Sequence, residues 1–383
     1  MNIMTITILF IFTVMLGGCA QLTQRVSKRL NPEKANVNTY KPTAVNLDPL
    51  VSKSEENFKS SIKEMGPLTR SIEEIKIPEV KIELTPAMEK YCDQIDKQFH
   101  HHGWKKSQCE KYQWHHVRNS VLGRPLIWTV FGPEVEQNIK EKDTTFVFCG
   151  VHGDEITPIK FCFDIIDDLI QNIHLYQDKL IVVAPIVNPD SFFKKHPTRT
   201  NQHGVDVNRN FPTHDWKADA QKLWRTRFRR DKRRFPGKRP ISEPETLFQV
   251  NLIKRYHPDK ILSVHAPLTL LDYDGPGDDS HEKSSHARLA NQLLISMSEK
   301  AFGYRVKNYP YFPGSLGNWA GKERDIPTYT IELPTSDNRK SKEYWVLFRD
   351  AIRQAFQKDL RPQAIGQLEP GQAGSKTLPS QTN

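Results

Sequence analysis

Apolar residues in the middle of the chain gather into short continuous runs, separated by longer stretches where they recur at helical spacing. Phe146 to Cys149, Leu180 to Val187, Ile261 to Val264 and Thr328 to Leu333 are such runs, and their density predicts buried strands. Between them, Ile159 to Ile170, Glu243 to Tyr256 and Ser285 to Ala301 read as helices. Asn188-Pro189 closes the second strand as a turn signal. Strands alternating with helices predict an α/β domain built on a largely parallel or mixed sheet. No internal repeat is visible.

Three of these strands lead into reactive side chains. His152 follows the first, His265 ends another and Glu332 ends the last. Ligands of open α/β sheets gather beyond the carboxyl ends of the strands. The stretch "TTFVFCGVHGDE", Thr144 to Glu155, therefore sets an imidazole and two carboxylates where a site is expected. Hydrolytic zinc needs three protein ligands and one open position. His152, Glu155 and His265 supply two nitrogen donors and one oxygen, with Gly153 letting the chain bend between the first two. No Cys-x-x-Cys pair exists, which argues against a cysteine zinc site. His-x-x-Glu alone is a weak signal, so its weight comes from the company it keeps.

That company is "NPDS" from Asn188, "HPTRTNQHGVDVNRNFP" from His196, "ISEPETLF" from Ile241, "SVHAPL" from Ser263 and "YTIELP" from Tyr329, in this order along the chain. Together with "GVHGDE" they resemble the M14 zinc carboxypeptidase family. "HAPLTLLD" and "PGSLGNW" place the likeness nearest its murein peptide amidase A branch. The resemblance covers about Ser120 to Leu333. It implies a mixed, largely parallel eight-stranded sheet flanked by helices, and one catalytic Zn2+ per chain.

By the same resemblance, His152, Glu155 and His265 match the metal ligands and Glu332 the general base. Arg199 matches the arginine that polarises the scissile carbonyl, and Asn208 with Arg209 the pair that grips a terminal carboxylate. Asp206 matches the residue that orients the first zinc histidine. Elementary chemistry agrees with each role. A carboxylate outside the metal set can take a proton from water whose pKa zinc has lowered. A permanent cation suits a developing oxyanion, and a planar guanidinium binds a carboxylate in bidentate fashion. Ser191 stands where the family often has glycine, which implies a small backbone adjustment. Tyr309 and Tyr311 compete for the place of an assisting tyrosine. Leu316 falls in the region that shapes the pocket for the departing residue, and Asp272 is a candidate partner for a cationic substrate group.

The ends of the chain differ from its middle. Residues 1–18 hold an apolar run from Ile6 to Leu16, shorter than the roughly 20 residues of a membrane span and fitting a signal peptide. Leu16-Gly17-Gly18-Cys19 resembles a lipobox, which makes Cys19 the candidate lipidation site and implies export to the cell envelope, at an outer membrane facing the periplasm. An ordinary cleaved export signal is the alternative. Residues 19–83 are polar, with scattered prolines, and predict a flexible tether. Residues 84–360 form the catalytic domain, with 84–118 as a helical pre-segment, and 361–383 a disordered tail. Cys92 and Cys109 can pair in an oxidising compartment, whereas Cys149 and Cys162 read as plain core residues.

The formal charge of +10 concentrates in "WRTRFRRDKRRFPGKR", Trp224 to Arg239. After an export signal, this run points to anionic cell-wall polymers, lipid headgroups or acidic peptides, and no nucleic acid is expected. The reading as a whole is a zinc-dependent amide hydrolase acting on peptidoglycan stem peptides, at or near the γ-D-Glu–diaminopimelate bond. Its partners would be such peptides, or other small peptides with a free carboxylate. A general protein carboxypeptidase or deglutamylase is the second possibility, and a noncatalytic cell-wall-binding lipoprotein the third.

Overall fold

The computed structural model describes residues 83–134, 142–277 and 284–361, all within the compact unit Glu79–Asn383. The signal peptide, Cys19, the tether and the C-terminal tail lie outside the described residues, apart from Glu83 at the tether's end and Arg361 at the tail's start. Seven strands form one sheet: β1 (His115–Asn119), β2 (Pro125–Phe131), β3 (Asp143–Phe148), β4 (Lys179–Ala184), β5 (Lys260–His265), β6 (Leu270–Asp274) and β7 (Thr328–Glu332). Their spatial order is β1-β2-β4-β3-β5-β7-β6. The four central strands run parallel, and β1, β2 and β6 are antiparallel to their neighbours.

Helices cover both faces: α1 (Pro86–His101), α2 (Ile156–Gln171), α3 (Pro189–Phe192), α4 (Gln221–Thr226), α5 (Pro244–Tyr256), α6 (Ser285–Lys300) and α7 (Ser341–Gln357). Every position of β3, β4 and β5 is buried, which is why each carries a dense apolar stretch between its polar first residue and its end. Side chains alternate across the sheet. Val147, Ile181, Val183, Leu262 and Val264 join a core with α1, α2, α6 and α7. Phe146, Phe148, Leu180, Val182 and Ile261 join a second core with α5, Phe211 and Trp319.

Three expectations are corrected. The sheet has seven strands among the described residues where the resemblance implied eight. Outside these strands, Val306 makes a single parallel bridge to Leu271. Pro310 and Pro313 follow and cannot donate to a ladder, and the Tyr309 amide instead donates to Asp272 Oδ1 at 2.8 Å. The pre-segment 84–118 is α-helical to His101, has one 3-10 turn at Cys109–Lys111, and its end forms the edge strand β1. All but the first residue of β1 are exposed, so it carried no apolar signature. Finally, Cys149 and Cys162 form a disulfide from the end of β3 to α2, as Cys92 and Cys109 do from α1 to the turn after it. Disulfide sulfurs bury in the same apolar surroundings as free thiols, so setting alone could not separate the two states.

α1 belongs to the domain and does not merely precede it. Met88, Tyr91, Cys92, Ile95 and Phe99 line its buried face at helical spacing. Thr85 caps it, accepting from the Met88 amide at 3.3 Å, and Pro86 occupies the first turn where no amide is needed.

Candidate active site

The chain leaves β3 and reaches His152 four residues later, while Glu155 stands at the start of α2. Gly153 is required by contact more than by bending. A Cβ there would lie 2.4 Å from Ser191 Cβ and 2.7 Å from the Phe192 amide nitrogen, so only glycine lets this loop rest on α3. His265 is the last residue of β5 and faces Glu332, the last of β7, across the parallel ladder.

The structure brings the three sequence-predicted ligands together. His152 Nδ1 lies 2.8 Å from Glu155 Oε1, His265 Nδ1 lies 2.9 Å from Glu155 Oε2, and the two Nδ1 atoms are 3.2 Å apart. Among the described residues, this is the one group of His, Cys, Asp or Glu side chains compact enough to hold a metal. All three are buried.

The outer nitrogens fix how these rings face. His152 Nε2 lies 3.2 Å from Asp206 Oδ1; an ionised carboxylate only accepts, so Nε2 carries the hydrogen and Nδ1 turns its lone pair inward. His265 Nε2 lies 2.9 Å from Ser263 Oγ. Ser263 was not foreseen, although its position two residues before the ligand on one strand face was a signal. Burial opposes the charges of Glu155 and Asp206. In Glu155 the two imidazoles outweigh it, in Asp206 Arg199 and His152 do, and both carboxyls are held below the usual range. Two inward imidazole nitrogens and a carboxylate, ionised and compact, are a donor set that fits zinc.

Glu332 opens onto the same space. Its Oε2 accepts from the Leu268 amide at 3.3 Å, and burial raises its pKa, aided by Glu155 and opposed by His265. Arg199 donates from Nε to Asp206 Oδ2 at 3.0 Å and from Nη1 to Glu155 Oε1 at 3.2 Å. Its loop is pinned by Ser191, whose hydroxyl accepts from the Thr198 amide at 2.9 Å. The departure from glycine thus adds a tie to the arginine loop, a role that sequence reasoning missed.

Arg209 and Asn208 lie opposite. Arg209 is buried, its guanidinium sits 4.5 Å over the Phe312 ring, and its Nε has no hydrogen-bond partner among the described residues. Burial, opposed by Asp206, lowers its pKa to about 10, so it remains cationic at neutral pH. Asn208 Oδ1 accepts from the Leu316 amide at 2.8 Å, which leaves its NH2 as the free donor. A buried cation with an unsatisfied donor, beside an amide donor, is a receptor for an anion. Gly314 makes this approach possible: its φ is 79°, and a Cβ would lie 2.1 Å from Arg209 O. Tyr309, Tyr311, Leu316 and Asp272 line the same cleft of about 540 Å³.

The zinc carboxypeptidase (peptidase M14) family profile matches residues 105–361. This chain belongs to that family. Over 253 residues it is 27% identical to murein peptide amidase A of Escherichia coli strain K12, covering 64% of this chain and 92% of the relative. Over 219 residues it is 30% identical to murein peptide amidase A of Vibrio campbellii, covering 56% and 77%. The crystal structure of carboxypeptidase A from Helicoverpa armigera shares its fold at a TM-score of 0.54, with 16% identity over 84% of this chain and 83% of that one. As a family member, the chain is an enzyme, a hydrolase of the metallopeptidase type, and the family is zinc-dependent.

Proposed function

We propose that this zinc carboxypeptidase cleaves amide bonds in peptidoglycan stem peptides, at or next to the γ-D-Glu–diaminopimelate bond. One observation carries the reading. The His152, Glu155 and His265 cluster, the Glu332 carboxylate and the Arg209 cation open into one cleft, an arrangement suited to a peptide bond close to a free carboxylate. The likeness to two murein peptide amidases supports the substrate class.

The geometry supports the following roles. His152, Glu155 and His265 would hold Zn2+, which supplies Lewis acidity toward the scissile carbonyl and water. Arg209 and the Asn208 amide bind the substrate carboxylate and set the register of the chain. Arg199, fixed by Asp206 and Glu155, presents positive charge to the carbonyl oxygen as it becomes anionic. Glu332 takes a proton from the attacking water and delivers it to the departing amine nitrogen. Asp206 holds the His152 ring through Nε2 and Arg199 through its other oxygen.

The proposal extends to location. Export and a lipid anchor at Cys19 are supported by the lipobox-like sequence. They are also consistent with two disulfides, which persist in oxidising compartments such as the periplasm. Among the described residues, no helix is long and apolar enough to cross a membrane.

Digestion of purified muropeptides followed by mass spectrometry tests the reading. Zinc-dependent release of a diaminopimelate-containing fragment is the expected result. Cleavage confined to the C-termini of ordinary peptides would replace it with a general carboxypeptidase. Tight binding to sacculi without cleavage would replace it with a wall-binding protein.

A further inference from the structure

The basic run Trp224 to Arg239 holds nine Lys and Arg residues against one acid, and the chemistry above makes no use of it. The fold does not send it all to distant solvent. Arg233 and Arg234 line the same cleft as the Glu332 carboxylate and Arg209. Arg233 donates to Asp154 Oδ2 at 2.7 Å, which ties the basic run to the loop between the ligands His152 and Glu155.

Arg234 belongs to a stacked series that begins at the buried anion receptor. Arg209 lies 4.5 Å and Arg227 5.7 Å from the centre of the Phe312 ring. Phe228 packs 6.2 Å from Phe312, and Arg234 lies 4.7 Å from the Phe228 centre. Two aromatic faces thus hold three guanidinium groups, and of these Arg209 and Arg234 line the cleft. Arg234 Nε lies 3.5 Å from Asp231 Oδ2, and the carboxylates of Asp272 and Asp274 line the same cleft. Like charges held this close favour an anion between them.

We infer that Arg234 and its stacked neighbours form a second anion subsite in the cleft, selecting peptides that carry another carboxylate besides the one held by Arg209. The inference rests on the reading given under Proposed function. In a stem peptide, the α-carboxylate of the γ-linked glutamate has this chemistry. An anionic polymer or membrane surface is the competing occupant. The placement of Arg233 and Arg234 inside the cleft favours the substrate.

Calorimetry on zinc-loaded Glu332→Gln protein tests this without turnover. The probes are L-alanyl-γ-D-glutamyl-diaminopimelate and the same peptide with the glutamyl α-carboxylate amidated. The acid form should bind roughly tenfold tighter, as one charge-assisted contact provides. Arg234→Gln should bring that ratio to within about threefold, while Lys238→Gln, in the same run but outside the cleft, should not move it. An unchanged ratio in Arg234→Gln, or equal binding of both peptides by the parent, overturns the subsite and leaves the murein-peptide reading intact. Binding of neither peptide sinks both. Loss of binding to phosphatidylglycerol vesicles in Arg234→Gln, with the peptide ratio unmoved, would assign the run to a membrane surface instead.

Discussion

At the scale of single residues, the proposed roles separate holding the metal from moving the proton. Glu155 touches both ligand imidazoles, whereas Glu332 is bonded to a backbone amide. Glu332→Gln should therefore retain about one zinc per chain while kcat falls by roughly 10²–10⁴. Metal analysis beside kinetics checks this, and loss of zinc in the variant would move Glu332 into the ligand set. Asp206 stands behind two functional groups at once. Asp206→Asn should weaken zinc affinity about 10- to 100-fold, and titration with a competing chelator reads it. Arg209→Ala should mainly raise KM, by roughly ten- to a hundredfold, because a charge-assisted carboxylate contact is worth about 1.5–3 kcal/mol in ground and transition states alike. An unchanged KM would place the carboxylate elsewhere.

At the scale of elements, what could be read beforehand follows from burial. β3, β4 and β5 lie in the middle of the sheet with both faces covered, and their dense apolar stretches announced them. His265 and Glu332 were each legible as the end of a strand, and only the ladder shows them facing one another. The edges were not. β1 is mostly exposed and β6 sits at a border, where the period-two signal is short. Ser191 and Gly153 matter through contact between segments far apart in sequence, which no local pattern encodes. α5 carries its own prediction. Its buried Glu245 has a pKa raised to about 7 by burial, opposed by the Asn201 contact at 2.9 Å and aided by the neighbouring charges of Asp190 and Glu243. The folded state then holds a proton that the unfolded chain releases near pH 4.5, so stability should fall as pH rises from about 4.5 to 7, by about 3 kcal/mol from this group. Urea unfolding across that window should show a slope that Glu245→Gln reduces. Parallel profiles for the two proteins would place the proton elsewhere.

At the scale of the whole molecule, the three proposed ligands tie together parts of the chain that folding must bring from afar. His152 and Glu155 belong to the junction of β3 and α2, and His265 comes more than 100 residues later from the end of β5. Two imidazoles packed 3.2 Å apart against one carboxylate gain most when a cation takes their lone pairs, and an unfolded chain offers no such cluster. Zinc should therefore stabilise the native state by mass action, about 4 kcal/mol at a thousandfold excess over Kd. For a domain of this size that is roughly 10 °C in Tm. Differential scanning calorimetry with and without a chelator reads the shift directly, and variants divide it by role. Glu155→Gln should abolish most of it because a ligand is lost. Glu332→Gln should keep it, since the proposed role of that carboxylate is toward substrate water and not as a strut. A Tm indifferent to chelation in the parent protein, with activity intact, would mean that the cluster is a hydrogen-bonded core and that the hydrolytic chemistry is housed elsewhere.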